Sequence, residues 1–425
     1  MSLPARSAPS SGPPPERRPT SSAETVGQTL DSEPGMSSSV AVRNGRVLTP
    51  DGIVTADLAF DAGLISGWMP RREELTIDAD GLLVAPGMID LQINGAFGLD
   101  FTLDPTTMWG VGAQLPATGV TSFLPTIITS PAPQRNKALQ VVAEGPPPGY
   151  RGARVLGLHF EGPMLAPDRR GTHEATHLRP PLIDLVDGWG RAEGVRLVTL
   201  APELAGAESV IQALLDRGVV VAAGHSAATY EEGVIALRSG VTHGTHLFNG
   251  MPPLAPREPG LVGALLDDLG ASVAIVVDGI HLHPATVRMV RGNKRADRVV
   301  LITDAMAGMG AGLGEYALHD LVITVDERSA RNAEKGLAGS ILTLDQAVRN
   351  YVAFTGCSPE EALAAASANP ADVIGESGRG RIEVGRVADL VVLDQHLAVQ
   401  ATIVEGLLTH CVPEFADRVL PRSVV

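Results

Sequence analysis

The sequence predicts an α/β fold, a (β/α)8 TIM-like barrel, because buried-type apolar runs recur along it and each leads to a polar residue. Four such runs are followed by a carboxylate or an imidazole: residues 155–158 before Glu161, 219–224 before His225, 241–245 before His246, and 299–303 before Asp304. Ligand and catalytic groups collect at the carboxyl ends of barrel strands. The pattern therefore favours a metal-dependent hydrolase.

The spacing of these four residues fits the units of a barrel. Glu161 to His225 is 64 residues, His225 to His246 is 21, and His246 to Asp304 is 58. Because a βα unit takes about 30 residues in a barrel of ~250, the gaps correspond to two units, one short unit and two units. We expect the four residues on strands three, five, six and eight, and strand one near residues 84–93.

The residue types at these strand ends indicate a metal centre with a general base beside it. Two imidazoles and one carboxylate, with a position left for water, form a catalytic zinc set, and they also suit Fe²⁺ and similar ions. We predict that Glu161, His225 and His246 bind the ion. A metal lowers the pKa of bound water toward ~7, so Asp304 is predicted to take that proton and to return it to the leaving amine.

Several motifs, in one consistent order, show that the chain resembles the amidohydrolase superfamily. They span roughly residues 40–407 and are, in order, Pro86-Gly87-Met88-Ile89-Asp90-Leu91-Gln92-Ile93-Asn94-Gly95, His159-Phe160-Glu161-Gly162-Pro163, Gly171-Thr172-His173, Gly224-His225-Ser226, His246-Leu247-Phe248-Asn249-Gly250-Met251-Pro252, Arg257-Glu258-Pro259-Gly260, Asp278-Gly279-Ile280-His281 and Thr303-Asp304-Ala305. Within that superfamily, the chain resembles the branch that deacetylates phosphorylated N-acetyl amino sugars. It implies hydrolysis of the acetamide of N-acetyl-D-glucosamine 6-phosphate, in amino-sugar catabolism and cell-wall recycling.

The resemblance also implies how many metal ions are bound. Many amidohydrolases carry His-x-His on strand one and bind a second metal there, whereas this chain has Gln92 and Asn94. Neutral amides are poor transition-metal ligands beside imidazole. We therefore expect one divalent ion per subunit, with zinc, iron, cobalt and manganese as the candidates.

The substrate-binding residues are implied by the same resemblance. His173, in a polar loop, is predicted to be catalytic by hydrogen-bonding the acetyl oxygen as its charge grows. Arg257, on a proline-rich loop, and His281 match phosphate contacts, and the guanidinium fork suits that group. The likeness allows Arg257 to reach across the interface of a homodimer. The other predicted substrate contacts are Thr172, Asn249, Gly250, Asp278, Leu337, Ala338 and Gly339.

The two ends of the chain are predicted to form a second, smaller domain. Residues 39–84 alternate short apolar runs with turns, a pattern typical of short antiparallel strands, and residues 384–425 read the same way. The resemblance implies that both segments meet in one small β-sandwich beside a catalytic barrel of residues 85–383. Residues 1–38 are rich in Pro, Ser and Gly, and we interpret them as a disordered leader.

Composition limits the classes of partner and compartment. The formal charge of −15 over 425 residues, without a basic stripe, argues against nucleic-acid binding. No apolar run approaches the ~20 residues of a membrane span. With only Cys357 and Cys411 there is no disulfide framework, so a cytoplasmic location is expected. The expected partner is a small phosphorylated amino sugar.

Three alternatives remain for the activity. The chain could deacetylate another N-acetyl amino sugar phosphate, such as N-acetylgalactosamine 6-phosphate. A cyclic-amide hydrolase with a carboxylated lysine between two metals is disfavoured, because Lys137, Lys294 and Lys335 all lie in polar segments. A non-catalytic sugar-binding relative would be expected to lack the base or a metal ligand, and here all four of those residues are present.

Overall fold

The structure is a computed structural model that describes residues 40–68, 75–318, 321–333 and 336–421. In chain order its strands are β1 Val40–Thr49, β2 Gly52–Asp61, β3 Leu64–Gly67, β4 Leu75–Asp78, β5 Leu83–Pro86, β6 Met88–Ile93, β7 Gly95–Ala96, β8 Leu99–Asp100, β9 Val120–Ile128, β10 Arg154–Val155, β11 Leu158–Glu161, β12 Val195–Leu200, β13 Val220–Ala223, β14 His243–Gly244, β15 Ser272–Ile275, β16 Val299–Leu301, β17 Gly314–Leu318, β18 Leu321–Val325, β19 Ala330–Arg331, β20 Leu390–Leu393, β21 Val399–Val404, β22 Leu407–Cys411 and β23 Val419–Pro421. Its α-helices are α1 Met108–Gly112, α2 Ala132–Glu144, α3 Ala207–Asp216, α4 Tyr230–Arg238, α5 Gly260–Asp267, α6 Pro284–Asn293, α7 Leu344–Thr355, α8 Pro359–Ala366 and α9 Ala368–Val373.

Eight parallel strands form the predicted barrel. Their order is β6, β9, β11, β12, β13, β14, β15 and β16. The chain beyond β16 returns to β6, where Ile93 and Ala305 form a parallel bridge and the Asp304 amide donates to the Gln92 carbonyl at 2.8 Å. The barrel is therefore closed, and the prediction of a (β/α)8 fold is confirmed. Glu161, His225, His246 and Asp304 end or follow the third, fifth, sixth and eighth strands.

Burial explains why these segments form strands and helices. Every residue of β9 is buried, as expected of a barrel strand covered on both faces. Helix α3 instead buries one stripe, Ala207, Val210, Ile211 and Leu214, at the spacing of an amphipathic helix. Helix α7 shows the same arrangement, since it buries Leu344, Ala347, Val348 and Tyr351.

The predicted first strand is divided between two sheets. Residues 83–86 pair with β20 in the sheet of the chain ends, and β6 begins at Met88 in the barrel. Gly87 lies between them, where a Cβ atom would stand 2.3 Å from the Thr121 side chain. In this geometry the position between the two strands therefore needs a residue without a side chain.

The two chain ends meet in one sheet, as the resemblance implied. Strands β20–β23 join β1–β5 in a branched nine-stranded sheet with its own buried cluster, which includes Val42, Leu58 and Ile403. The expectation of antiparallel pairing holds for β1 with β2, but β4 and β5 run parallel to β1. That part of the expectation was wrong: β2 occupies one edge of β1, so later strands reach the other edge only by crossing over.

A three-stranded sheet, β17–β19, follows the last barrel strand and lies beside the pocket. Its residues Ile323, Val325 and Ala330 pack in one cluster with Ile128 and Met306. This insertion has no counterpart in the sequence prediction. Because the sheet supports residues that line the pocket, it contributes to the site's wall.

Two predictions lie outside the described residues: the disordered leader 1–38, and the placement of Lys335. Within the described residues, no helix is both long and apolar enough to cross a bilayer.

Candidate functional site

Three ligand-type atoms converge at the carboxyl end of the barrel. The Glu161 Oε1 atom lies 2.9 Å from His246 Nε2 and 3.3 Å from His225 Nε2, and the two imidazole nitrogens are 3.1 Å apart. All three side chains are buried. They are also the single group of three or more His, Cys, Asp or Glu with metal-site spacing in the described part of the chain. The predicted ligand set is therefore brought together by the fold.

The donor set and its dimensions fit a divalent ion. Ligands about 2.0–2.2 Å from a tetrahedral ion lie about 3.4 Å from one another, and the three observed separations are close to this value. His225 Nδ1 hydrogen-bonds the Arg169 carbonyl at 2.8 Å, so it carries the proton and Nε2 presents its lone pair.

The electrostatics of this cluster show how strongly the carboxylate attracts positive charge. Burial alone would raise the pKa of Glu161, but the adjacent imidazoles of His225 and His246 outweigh burial and hold that pKa well below its usual range. Burial likewise disfavours the charged form of His246, yet Glu161 raises its pKa to about 9. The site is therefore built to hold a cation against a buried anion.

Asp304 lies beside the cluster and is held by two neutral amides. Asn94 Nδ2 donates to its Oδ1 at 2.8 Å, and Gln92 Nε2 donates to the same oxygen at 3.3 Å. Gln92 Nε2 also donates to Glu161 Oε1 at 3.0 Å. Burial raises the pKa of Asp304, whereas the positive charge of His246 lowers it. The two amides on strand one thus orient the carboxylates.

Three site residues occupy the left-handed backbone region. The φ angles are 48° for His225, 26° for His246 and 49° for Asp304. Such conformations cost about 1–3 kcal/mol for residues other than glycine and cluster at functional sites. These three residues all stand at strand ends, where their side chains meet in one cluster.

His173 reaches the cluster from the loop after β11. Its ring lies edge-on to the His225 ring with centroids 4.5 Å apart, and its Nε2 is 3.7 Å from Glu161 Oε2. The Thr129 backbone amide donates to His173 Nδ1 at 3.3 Å, so in the neutral ring the proton is on Nε2. That nitrogen is therefore a hydrogen-bond donor at the pocket.

Most predicted substrate contacts line the same pocket as the metal cluster. Those that do are Thr172, His173, Asn249, Gly250, His281, Leu337, Ala338 and Gly339. A Cβ atom on Gly250 would stand 2.8 Å from His225 Nδ1, and its φ is 62°, so this position needs a glycine in the present geometry. The loop positions were chosen by motif, and the fold gathers them from four segments of the chain.

Two predicted substrate residues do not line the pocket. Asp278 instead holds His281, because its Oδ2 bonds His281 Nδ1 at 2.6 Å and its Oδ1 accepts from the backbone amides of Ile280 and His281. Burial raises the pKa of Asp278, but the bond to His281 outweighs it and lowers that pKa overall. Arg257 is exposed on the loop before α5, outside the pocket lining.

Sequence reasoning missed some of the residues that form the site. Ile128, Gly171 and Met306 line the pocket, and Asn94 does so as well as orienting Asp304. Asn94 and Gln92 were noted only as substitutes for metal ligands, although amides that follow an apolar strand at alternate positions could have been read as pocket residues. The apolar pair carries no local signal, since Ile and Met are ordinary core residues.

Three buried polar residues lie deeper in the barrel. His159 bonds Thr126 and Thr199, and its burial lowers its pKa to about 4. His243, on β14, bonds the Ser272 hydroxyl on β15, and burial lowers its pKa to about 3. Asp90 bonds Thr303 at 2.6 Å, and its burial raises its pKa to about 7. The first two are neutral, hydrogen-bonded core residues.

Comparisons with known proteins agree with this geometry. Residues 83–413 match the amidohydrolase family. The chain is 42% identical over 386 residues to human N-acetylglucosamine-6-phosphate deacetylase, covering 86% of this chain and 90% of that protein. It is 36% identical over 372 residues to N-acetylgalactosamine-6-phosphate deacetylase of Escherichia coli O157:H7, covering 86% and 98%.

A solved structure gives the same result. The Mycobacterium smegmatis N-acetyl-D-glucosamine-6-phosphate deacetylase, a D267A mutant in complex with N-acetyl-D-glucosamine-6-phosphate, superposes with a TM-score of 0.79 at 32% sequence identity. The match covers 88% of this chain and all of that one.

Proposed function

This chain belongs to the amidohydrolase family, and from that premise we propose that it hydrolyses the acetamide of N-acetyl-D-glucosamine 6-phosphate to D-glucosamine 6-phosphate and acetate. The observation that carries the proposal is the meeting of Glu161, His225 and His246 with Asp304 in a pocket lined by His173 and His281. This arrangement combines a metal site, a carboxylate for proton transfer and donors for an anionic substrate.

The metal would be held by Glu161 Oε1, His225 Nε2 and His246 Nε2. When bound, a divalent ion supplies Lewis-acid polarisation and lowers the pKa of water. Zinc suits two imidazoles and a carboxylate with an open position, and we propose zinc as the ion. One ion per subunit is proposed, because Gln92 and Asn94 donate their amide N–H groups to the two carboxylates.

Asp304 is proposed to move the proton. Its Oδ1 accepts hydrogen bonds from the two amides, so Oδ2 is the atom proposed to take the proton of the attacking water and to deliver it to the nitrogen. A free amide anion is a very poor leaving group, so the second transfer is needed for C–N cleavage. Burial of the carboxyl favours its protonated form and hence its return of the proton.

His173 is proposed to stabilise the charge on the acyl oxygen. Thr129 fixes its neutral tautomer with Nε2 as the donor. A donor held in place before the reaction costs no reorganisation as the oxygen becomes negative. The buried Thr129 side chain, 2.8 Å from Nδ1, limits rotation of the ring.

Phosphate recognition is proposed to involve His281 and Arg257. His281 lines the pocket and is oriented by Asp278. Arg257 is exposed and makes no ion pair with the described residues, so its guanidinium is available to a second subunit. We therefore propose a homodimer in which Arg257 of each subunit completes the phosphate site of the other.

The cytoplasm is the proposed location. Cys357 is buried and Cys411 partly buried, and both are free thiols in the structure. Free thiols persist in a reducing compartment.

A second candidate substrate is N-acetylgalactosamine 6-phosphate, because the chain is similar to the E. coli deacetylase of that compound over nearly the whole of its length. The two sugars differ only in the orientation of one hydroxyl group. Both reactions use the same metal cluster and the same proton transfer.

The test is acetate release by the metal-replete protein, combined with elemental analysis. We expect about one tightly held divalent ion per chain and a higher kcat/KM for the 6-phosphorylated glucosamine derivative than for its galactosamine epimer or the unphosphorylated sugar. A preference for the epimer would select the second candidate. Binding without acetate release would identify a non-catalytic sugar-binding protein, and two tightly held ions would contradict the single site.

A further inference from the structure

Asn94, a residue that lines the pocket, carries a buried side-chain oxygen that the described residues leave without a hydrogen bond. The residue is 7% exposed and lines the pocket beside Asp304. Among the residues that the structure describes, none hydrogen-bonds its Oδ1 atom. A buried acceptor without a donor is costly, and on a residue that lines a pocket it points to a donor supplied by a bound ligand.

The orientation of this amide follows from its neighbours. Asn94 Nδ2 is 2.8 Å from Asp304 Oδ1, and a carboxylate oxygen accepts, so the nitrogen must face Asp304 and the oxygen must face elsewhere. The backbone is fixed on both sides, since Asn94 N donates to Ala305 O at 2.7 Å and Phe101 N donates to Asn94 O at 3.0 Å. Oδ1 is therefore a rigid acceptor next to the proton-transfer group.

The chemistry of the pocket limits which group of a ligand can donate a hydrogen bond to Asn94 Oδ1. Under the proposed function, on which this inference rests, Asp304 delivers a proton to the scissile nitrogen, which must then lie within about 2.6–3.2 Å of its carboxyl group. That nitrogen carries one N–H in the acetamide. We propose that Asn94 Oδ1 accepts the hydrogen bond of this N–H and so binds the scissile amide.

The contact strengthens as the reaction proceeds. When Asp304 gives its proton to the nitrogen, the nitrogen holds two hydrogens, and the C–N bond then breaks with its electron pair going to nitrogen. Asn94 gains and loses no proton. A hydrogen bond from a protonated nitrogen is charge-assisted and stronger than one from a neutral amide, so Asn94 stabilises the protonated intermediate more than the bound substrate.

The test compares an amide with an ester. The ester counterpart, 2-O-acetyl-D-glucose 6-phosphate, keeps the acetyl group and the phosphate but replaces the scissile N–H by oxygen. Asn94→Ala and the smaller change Asn94→Ser are assayed on both compounds with the full-length, metal-replete protein. We expect kcat/KM to fall about tenfold more on the amide than on the ester, because only the amide offers a donor to Oδ1.

Gln92→Leu is the matched control. Gln92 also donates to Asp304 Oδ1, but it does not line the pocket. Its loss removes support from the carboxylates without removing an acceptor for the substrate. Gln92→Leu therefore measures how far weaker support of Asp304 alone separates the amide from the ester, and we expect that separation to be several times smaller than in the Asn94 variants. Elemental analysis and circular dichroism of each variant separate this effect from loss of metal or fold.

Three outcomes would overturn the assignment. Equal losses on the amide and the ester in both Asn94 variants would make Asn94 only a positioning residue for Asp304. If wild type binds a second ion and Asn94→Ala loses it, Oδ1 binds that ion instead of the substrate N–H. Unchanged amide turnover in the variants would remove Asn94 from the site. If wild type itself released no acetate from the amide, the proposed function would fail instead.

Discussion

Asp304 is the residue on which the proposed reaction depends most, and its surroundings explain why. Its backbone is in the left-handed region and its Oδ1 is fixed by Asn94 and Gln92. The carboxyl group is therefore positioned before substrate arrives. A group fixed in this way can serve both proton transfers without rearrangement.

Changing Asp304 to Asn should abolish nearly all turnover while the fold and the metal are kept. The amide has the same shape but neither accepts the water proton nor delivers it to nitrogen. General acid–base groups contribute about 10²–10⁴-fold, so kcat should fall at or beyond the upper end of that range. Steady-state kinetics with elemental analysis measures this. A variant that retains more than about a tenth of wild-type kcat with metal bound would remove Asp304 from the mechanism.

Arg257→Ala should raise the KM for the 6-phosphorylated substrate far more than for the unphosphorylated sugar. A charge-assisted contact of about 1.5–3 kcal/mol would be lost only where phosphate is present. Arg295→Ala is the control, because that exposed arginine pairs with Asp297 and is not part of the pocket. Equal effects of Arg257→Ala on both sugars would show that this arginine supports its loop instead.

At the scale of elements, the junction between the first and last barrel strands places the site. The Thr303 hydroxyl donates a hydrogen bond to Asp90 Oδ2, on β6, at 2.6 Å. The Thr303 backbone amide donates to Asp90 Oδ1 at 3.3 Å. Asp90 is fully buried. The junction therefore holds a carboxyl group that is stabilised in its neutral form.

Asp90→Asn should change how stability depends on pH. Burial raises the Asp90 pKa from 3.8 to about 7 in the folded protein. Between these values the unfolded chain binds fewer protons than the native one, so Asp90 makes stability fall as pH rises, by up to about 1.4 kcal/mol per pH unit. The variant has no ionisable group at this position, so its stability lacks this dependence on pH. Urea unfolding at pH 4.5 and pH 7.5 measures this. The free energy of unfolding of the variant, relative to that of wild type, should be higher at pH 7.5 than at pH 4.5.

The opposite trend, or a constant difference between the two proteins, would show that Asp90 ionises normally in the native state. Because the measured quantity is the difference in the free energy of unfolding between the variant and wild type, groups that titrate equally in both proteins do not contribute to it.

A charge network joins the sheet of the chain ends to the barrel. Arg379 pairs with Asp389 and, at 2.6 Å, with Glu405, which also bonds Arg154 of β10 at 2.8 Å. Asp389 is 2% exposed and Arg379 11%. The network is buried enough that removing its central cation leaves uncompensated charge.

Arg379→Ala should therefore destabilise the protein by about 3 kcal/mol. The exposed pair of Arg295 and Asp297 gives a matched control, because Arg295→Ala should cost less than about 1 kcal/mol. Denaturant midpoints of the two variants and wild type measure the difference. Similar midpoints for both variants would show that solvent reaches the network and screens it.

At the scale of the whole molecule, the proposed dimer makes a prediction about mixed subunits. Arg257→Ala and Asp304→Asn each damage a different part of the site. If Arg257 acts across the interface, a dimer of one subunit of each variant has one site in which both residues are intact. Mixing the two variants under conditions of subunit exchange should therefore restore activity. For random pairing the restored activity should reach about a quarter of the wild-type value. Phosphorylated substrate below its KM gives the clearest readout.

Subunit exchange can be demonstrated with differently tagged subunits. If exchange occurs but activity is not restored, Arg257 belongs to the site of its own subunit or to neither site. Asp304→Asn mixed with wild type is the control. It should give activity in proportion to the wild-type subunits and no recovery.

Much of the site could be predicted from the sequence because its signals are local. An apolar run that ends in Glu161, His225, His246 or Asp304 is visible in a few residues, and the spacing between the runs fixes their strands. The placement on strands three, five, six and eight is confirmed. The roles of these residues remain proposals, but their meeting in space followed from the fold class alone.

Only the tertiary structure decided what depends on partners far apart in the chain. Gln92 and Asp304 are 212 residues apart, and nothing local to Gln92 shows that its amide joins two carboxylates. The parallel pairing of β4 and β5 with β1 depends on which edge is left free. The sequence by itself determined which residues stand at strand ends, because side-chain periodicity is local. Closure of the barrel decided their hydrogen bonds, because a hydrogen bond depends on distances that only the packed chain defines.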